Sequence, residues 1–152
     1  WLIQALQSCE FFQDSRQYCT IHQMIPGYFA LRESFHATGD PRLPWTLERL
    51  NATILRLWDS EKRCFKKVDQ QLNVCDSLQA QVFGALFFVE SGNSHDALQV
   101  IDYVRTTFIA AMDFGNQEIV FGYSDTPVTI SVENSLFLGL AMGRLVRFDE
   151  EY

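Results

Sequence analysis

Positive charge is scarce in this chain. Its 152 residues hold 12 Lys and Arg against 19 Asp and Glu, a formal net charge of −7. Neutralising a phosphate backbone needs a Lys/Arg-rich face, so no nucleic-acid partner is expected. The nearest basic run, "EKRCFKK", reads as a solvated hairpin tip. Long apolar runs are also missing. "QVFGALFFV" is closed by Glu90 and "LFLGLAMG" by Arg144, so both suit buried helices and no membrane partner is expected. The eight glycines are scattered, with no phosphate-cradling loop. Cys9, Cys19, Cys64 and Cys75 contain no CxxC pair, so no metal site and no cofactor is expected. Cys64 and Cys75 flank one loop and can bridge it. The alternative is two buried thiols, which base rates favour. No signal peptide is visible and the first residue is Trp1, so the chain reads as a processed or excised piece whose compartment stays open. "Asn51-Ala52-Thr53" is a formal glycosylation sequon inside a predicted helix, a triplet common by chance.

What is present is core material and a repeat. Hydrophobic residues make up 47% of the chain, enough for one domain or a fragment of a larger one. "YFALRESFHATGDPRLPWTLERL" lies over "VFGALFFVESGNSHDALQVIDYV" at an offset of 54 residues. Phe29 falls on Phe83, Leu47 on Ile101 and Leu50 on Val104, and a further step of the same length carries Phe83 to Phe137. Self-similarity at this period signals stacked supersecondary units.

Each unit reads as two helices. Leu47, Leu50, Ile54 and Leu57 form one stripe, as do Ala97, Val100, Ile101, Val104 and Phe108, so these are amphipathic surface helices. "SLQAQVFGALFFVE" and "NSLFLGLAMGRLV" are apolar nearly all round and are expected to be enclosed. The pattern predicts an all-α chain of about six helices, repeated hairpins alternating enclosed and outer. The two long links are rich in β-branched and aromatic residues and are expected to hold short β-pieces. "WLIQALQSCEFFQDSRQ" would be the outer helix of a preceding unit, so the array is expected to be interrupted at both ends.

"CDSLQAQVFGAL" and "FGYSDTPVTISVENSLFLGLAM", alternating with "TGDPR" and "LWDSEKRCF", resemble the hairpins of the (α/α) toroids of the six-hairpin glycosidase superfamily. The resemblance covers most of residues 21–148 and implies about half a ring, with another chain, a second copy or segments outside this sequence over the open edges. It also implies an oligosaccharide or polysaccharide substrate in a cleft lined by the loops that enter the inner helices.

Helix N-termini favour anionic side chains, and two carboxylates in one cleft can separate their proton affinities, as glycoside hydrolysis requires. Asp76 and Glu133 are the candidate catalytic pair, and His22, Tyr28, Tyr123 and Asp125 the candidate substrate contacts. Each has a plainer reading. Asp76, three residues before Gln79, suits a capping box, and Glu133 suits the helix dipole. Asp125 before Thr-Pro suits a turn, as Asp69 suits a loop. His22 suits a half-buried histidine with a backbone partner, and the aromatic residues suit a core. The alternative function is a non-catalytic helical-repeat module that binds protein.

Overall fold

The computed structural model describes residues 20–66, 74–113, 118–123 and 131–150. Among them are five helices: α1 Ile21–Thr38, α2 Leu43–Arg56, α3 Leu78–Glu90, α4 Ser94–Thr107 and α5 Val132–Glu150. Two short antiparallel hairpins interrupt them: β1 Trp58–Asp59 with β2 Cys64–Phe65, and β3 Ile109–Asp113 with β4 Glu118–Tyr123. The fold is therefore mostly helical, with its β-pieces in the two long links. Residues 1–17, expected as a further outer helix, fall outside the described residues, and so does Asp69.

The helix ends follow local chemistry. The α1–α2 turn uses Gly39 at φ 65° and the α3–α4 turn Gly92 at φ 74°, left-handed conformations that glycine adopts without strain. Pro44 sits in the first turn of α2. The Asn93 side chain caps α4, accepting from the Asp96 amide at 3.2 Å.

One boundary differs from expectation. In "CTIHQMIPGYF" His22 reads as lying just before the first enclosed helix, yet α1 begins at Ile21 and runs through Pro26. The apolar stripe explains this. Ile21, Met24 and Ile25 continue it upstream and are buried, which offsets the one hydrogen bond that Pro26 cannot donate. His22 accordingly lies in the first helical turn rather than in a loop.

Helices α1, α3 and α5 form an inner layer and run parallel. Phe83 stacks on Phe137 with ring centroids 5.3 Å apart, and seven residues further along each helix Glu90 pairs with Arg144. Both pairs are separated by the 54-residue repeat. On the other side of α3, Tyr28 meets Phe87 at 5.4 Å, and about one turn further Arg32 Nη2 donates to Glu90 Oε2 at 2.9 Å. Contacts advancing together along both partners define parallel neighbours, with α3 in the middle.

Glu90, the last residue of α3, thus ties α1 and α5 to it through Arg32 and Arg144, in the C-terminal half of each. Arg32 also donates to the Glu90 carbonyl at 3.2 Å, placing a cation where the α3 dipole is negative. Glu90→Ala is expected to cost about 1–3 kcal/mol in urea denaturation, because two guanidinium groups lose a partly buried partner. The cost should shrink in high salt.

Outer helices α2 and α4 pack back through their short turns. Tyr28, Leu31 and Phe35 of α1 meet Leu43, Leu47 and Leu50 of α2 in one apolar cluster. The larger cluster joins α3, α4 and α5 with Phe65. Phe65 is fully buried between Trp58 and Phe88, over Gly84, where a Cβ would fall inside its ring.

Phe65 is also held by its backbone. Gln81 Oε1 accepts from the Phe65 amide at 2.6 Å, and Gln81 Nε2 donates to the Phe65 carbonyl at 2.7 Å. A glutamine of α3 thereby completes the ladder that β2 lacks on its inner side.

Cys64 and Cys75 form a disulfide, their Cα atoms 5.9 Å apart, so the reading of two buried thiols is corrected. Base rates for cysteine burial carry no information about which two thiols a loop return brings together. The bridge closes a loop of 11 residues in sequence separation. Cys64→Ser with Cys75→Ser is expected to lower stability by about 2–3 kcal/mol. A thermal melt of the parent with and without reductant should show the same deficit.

Candidate functional site

Parallel inner helices gather their N-terminal ends at one end of the layer, and Asp76 and Glu133 both stand there. Asp76 is exposed in the segment entering α3, and Glu133 is exposed in the first turn of α5. Asp76 is not the cap expected of it. Ser77 takes that position, its Oγ accepting from the Ala80 amide at 3.2 Å. The Asp76–Gln79 capping-box reading is therefore corrected: the helix starts one residue later, and the smaller side chain reaches the amide.

The first turn of α5 is tied to β4. The Ser131 amide donates to the Tyr123 carbonyl at 3.0 Å, and the Tyr123 amide donates to Ser135 Oγ at 3.0 Å. This junction sets Tyr123 beside the turn that carries Glu133. The Tyr123 ring is half-buried and packs on the main core. Beside Glu133, Asn134 is buried, and among the described residues its Oδ1 has no hydrogen-bond partner. Sequence reasoning passed over Asn134, although an asparagine in register with Leu138, Ala141 and Leu145 was the available signal.

The other expected contacts are distributed differently. Tyr28 sits two turns into α1 and packs edge-on against Phe29 and Phe87, at the seam of the two apolar clusters. Its ring is engaged in the core instead of standing at the mouth. His22 is in the first turn of α1, at the same end of the layer as Asp76 and Glu133. Asp125 lies outside the described residues. His36 and His95 are exposed at the opposite end, beside the tight turns.

Shifted carboxylates also lie away from the mouth. Hydrogen bonding to the Arg42 side chain and amide brings Asp40, in the α1–α2 turn, down to about 2. The Lys62 amide lowers Asp59 in the first hairpin, aided by Lys66 at 3.2 Å. Both are structural anions of turns.

Alongside the mouth runs a groove of about 670 Å³, lined by Val132, Glu133, Leu136, Phe137 and Leu140. Here the expectation of an enclosed third inner helix fails on one face: Val132, Leu136, Leu140 and Val146 are exposed. Among the described residues no cluster of His, Cys, Asp or Glu could hold a metal ion, and no helix is long and apolar enough to cross a membrane. No family model, curated protein or solved structure was found to match the chain.

Proposed function

We propose that this chain is part of a carbohydrate-active (α/α) toroid, a glycoside hydrolase acting on an oligosaccharide or polysaccharide. Asp76 and Glu133 supply its carboxylate pair. The observation that carries this reading is the parallel inner layer, which sets both acids at the N-terminal ends of adjacent helices. Asp76 is moreover unused as a cap, which leaves its carboxylate available. In this reading one acid, protonated, donates to the glycosidic oxygen as the bond to the anomeric carbon breaks. The other, ionised, attacks that carbon or takes a proton from the attacking water. The Cys64–Cys75 bridge supports an oxidising compartment for the reaction.

The second reading, a non-catalytic helical-repeat module, is supported by the bare face of α5. Incubating the parent chain with a panel of oligosaccharides, with products resolved by mass spectrometry, separates the two. The hydrolase reading expects new reducing ends from at least one member. A panel returning neither cleavage nor binding would leave the module reading.

A further inference from the structure

Asn134 is a polar side chain buried at the mouth with an atom that the fold leaves unused. It is 8% exposed, and among the described residues its Oδ1 has no hydrogen-bond partner. Its place follows from register. Phe137 and Leu138 stand three and four residues on, Phe137 stacks on Phe83 of α3, and Leu138 is buried in the main core. Asn134 therefore lies one turn above that contact, at the top of the α3–α5 seam. Side chains of a helix lean toward its N-terminus, so the Asn134 amide points along the seam to the end where Asp76 and Glu133 stand.

Packing of the layer does not require this amide. Ser131 Oγ accepts from the Asn134 main-chain amide at 3.4 Å, so the first turn of α5 is capped without the side chain. One repeat earlier the same register of α3 holds Ala80, which is also buried. An apolar residue thus suffices where the helix only packs. A buried amide oxygen without a donor is unfavourable, and its retention at a cleft points to a partner that comes and goes. Thr46 Oγ1 is the other such atom among the described residues, but it lies in the first turn of α2, away from both acids.

We propose that Asn134 Oδ1 is a substrate-binding acceptor, receiving a hydroxyl of the sugar unit held between Asp76 and Glu133. The assignment rests on the hydrolase reading and adds a specificity requirement to it. The sugar at that position carries a free hydroxyl directed into the α3–α5 seam, so a substrate deoxygenated or O-alkylated there is a poor one. Binding then satisfies an oxygen that the free chain leaves unmet, and in a buried setting such a bond is stronger than at the surface.

The test uses the full chain and two variants that both remove the acceptor. Asn134→Ala installs the residue of the α3 register, and Asn134→Leu keeps the branched shape. Neither should lower the melting temperature, and at least one should raise it by about 2 °C or more, because the unmet oxygen is gone. The probes are neutral di- to hexasaccharides of glucose, mannose, galactose and xylose. On those the parent cleaves, kcat/KM should fall about 10- to 100-fold in both variants. In a monodeoxy series of the cleaved sugar, one member should be as poor for the parent as for the variants, since the missing hydroxyl and the missing acceptor are one contact. Melting temperatures lowered by more than about 4 °C in both variants would show that the side chain serves the fold. Cleavage equal to the parent's, or a deficit that persists on every deoxy substrate, would overturn the assignment and leave the hydrolase reading standing. A parent that cleaves none of the probes would remove the reading and the assignment together.

Discussion

Replacing Gln81 by leucine is expected to remove about 2–6 kcal/mol of stability, because it orphans two buried backbone groups at about 1–3 kcal/mol each. Leucine approximates the volume, so packing around Phe65 is nearly conserved and the loss reports the hydrogen bonds. Among the described residues the Phe65 amide and carbonyl have only the Gln81 side chain on that side, and Gln81 is fully buried. Against a typical total of about 5–15 kcal/mol, such a loss is close to unfolding. Gln81→Glu sharpens the argument. Its protonated acid can both donate and accept as glutamine does, whereas its carboxylate can only accept and carries a buried charge. Burial raises the folded-state pKa of such a group. The variant should therefore be most stable below the ordinary glutamate pKa and lose stability as pH rises through the raised value. Urea denaturation across pH reads both effects, and a Gln81→Leu loss below about 1 kcal/mol would contradict the role assigned to this side chain.

The second large effect concerns turnover. If the hydrolase reading holds, Glu133→Gln and Asp76→Asn should each reduce oligosaccharide cleavage by about 100- to 10,000-fold, the range for removing a positioned acid or base. Stability should change by less than about 0.5 kcal/mol, because both residues are exposed and Ser77 caps α3. Losses of melting temperature and turnover in proportion would instead indicate structural roles for both acids.

The helices and their alternation were legible because burial writes itself into periodicity. Leu50 and Ile54 of α2, and Ala97, Val100 and Val104 of α4, are all buried where the stripes placed them. The 54-residue repeat proved to be a contact rule as well as a pattern, since Phe83–Phe137 and Glu90–Arg144 obey it in space. What escaped reading depended on distant partners. Gln81 looks like an ordinary polar interruption of an apolar helix until β2 is seen to need it. Cys64 and Cys75 become a bridge only through the return of the chain to α3. His22 reads as preceding the first enclosed helix, whereas the buried Ile21, Met24 and Ile25 carry α1 upstream through Pro26. The mouth was legible only as an address. Helix-entry positions put Asp76 and Glu133 at one end of the layer, but the Tyr28 ring packs in the core, and the buried Asn134 went unnoticed.

The central claim is that Asp76 and Glu133 share one end of a parallel inner layer, and cross-linking tests it most directly. In a background with Cys9→Ser and Cys19→Ser, the pair Asp76→Cys and Glu133→Cys is compared with Asp76→Cys and Arg144→Cys. The reagent is a bismaleimide about 10 Å long, matched to the spacing of packed helices. Arg144 lies about 16 Å further along α5 than Glu133 at the helical rise per residue. Mass spectrometry should find efficient intramolecular linkage in the first pair and almost none in the second. Linkage of the second pair in preference to the first would show that α3 and α5 run in opposite directions, and would contradict the shared mouth.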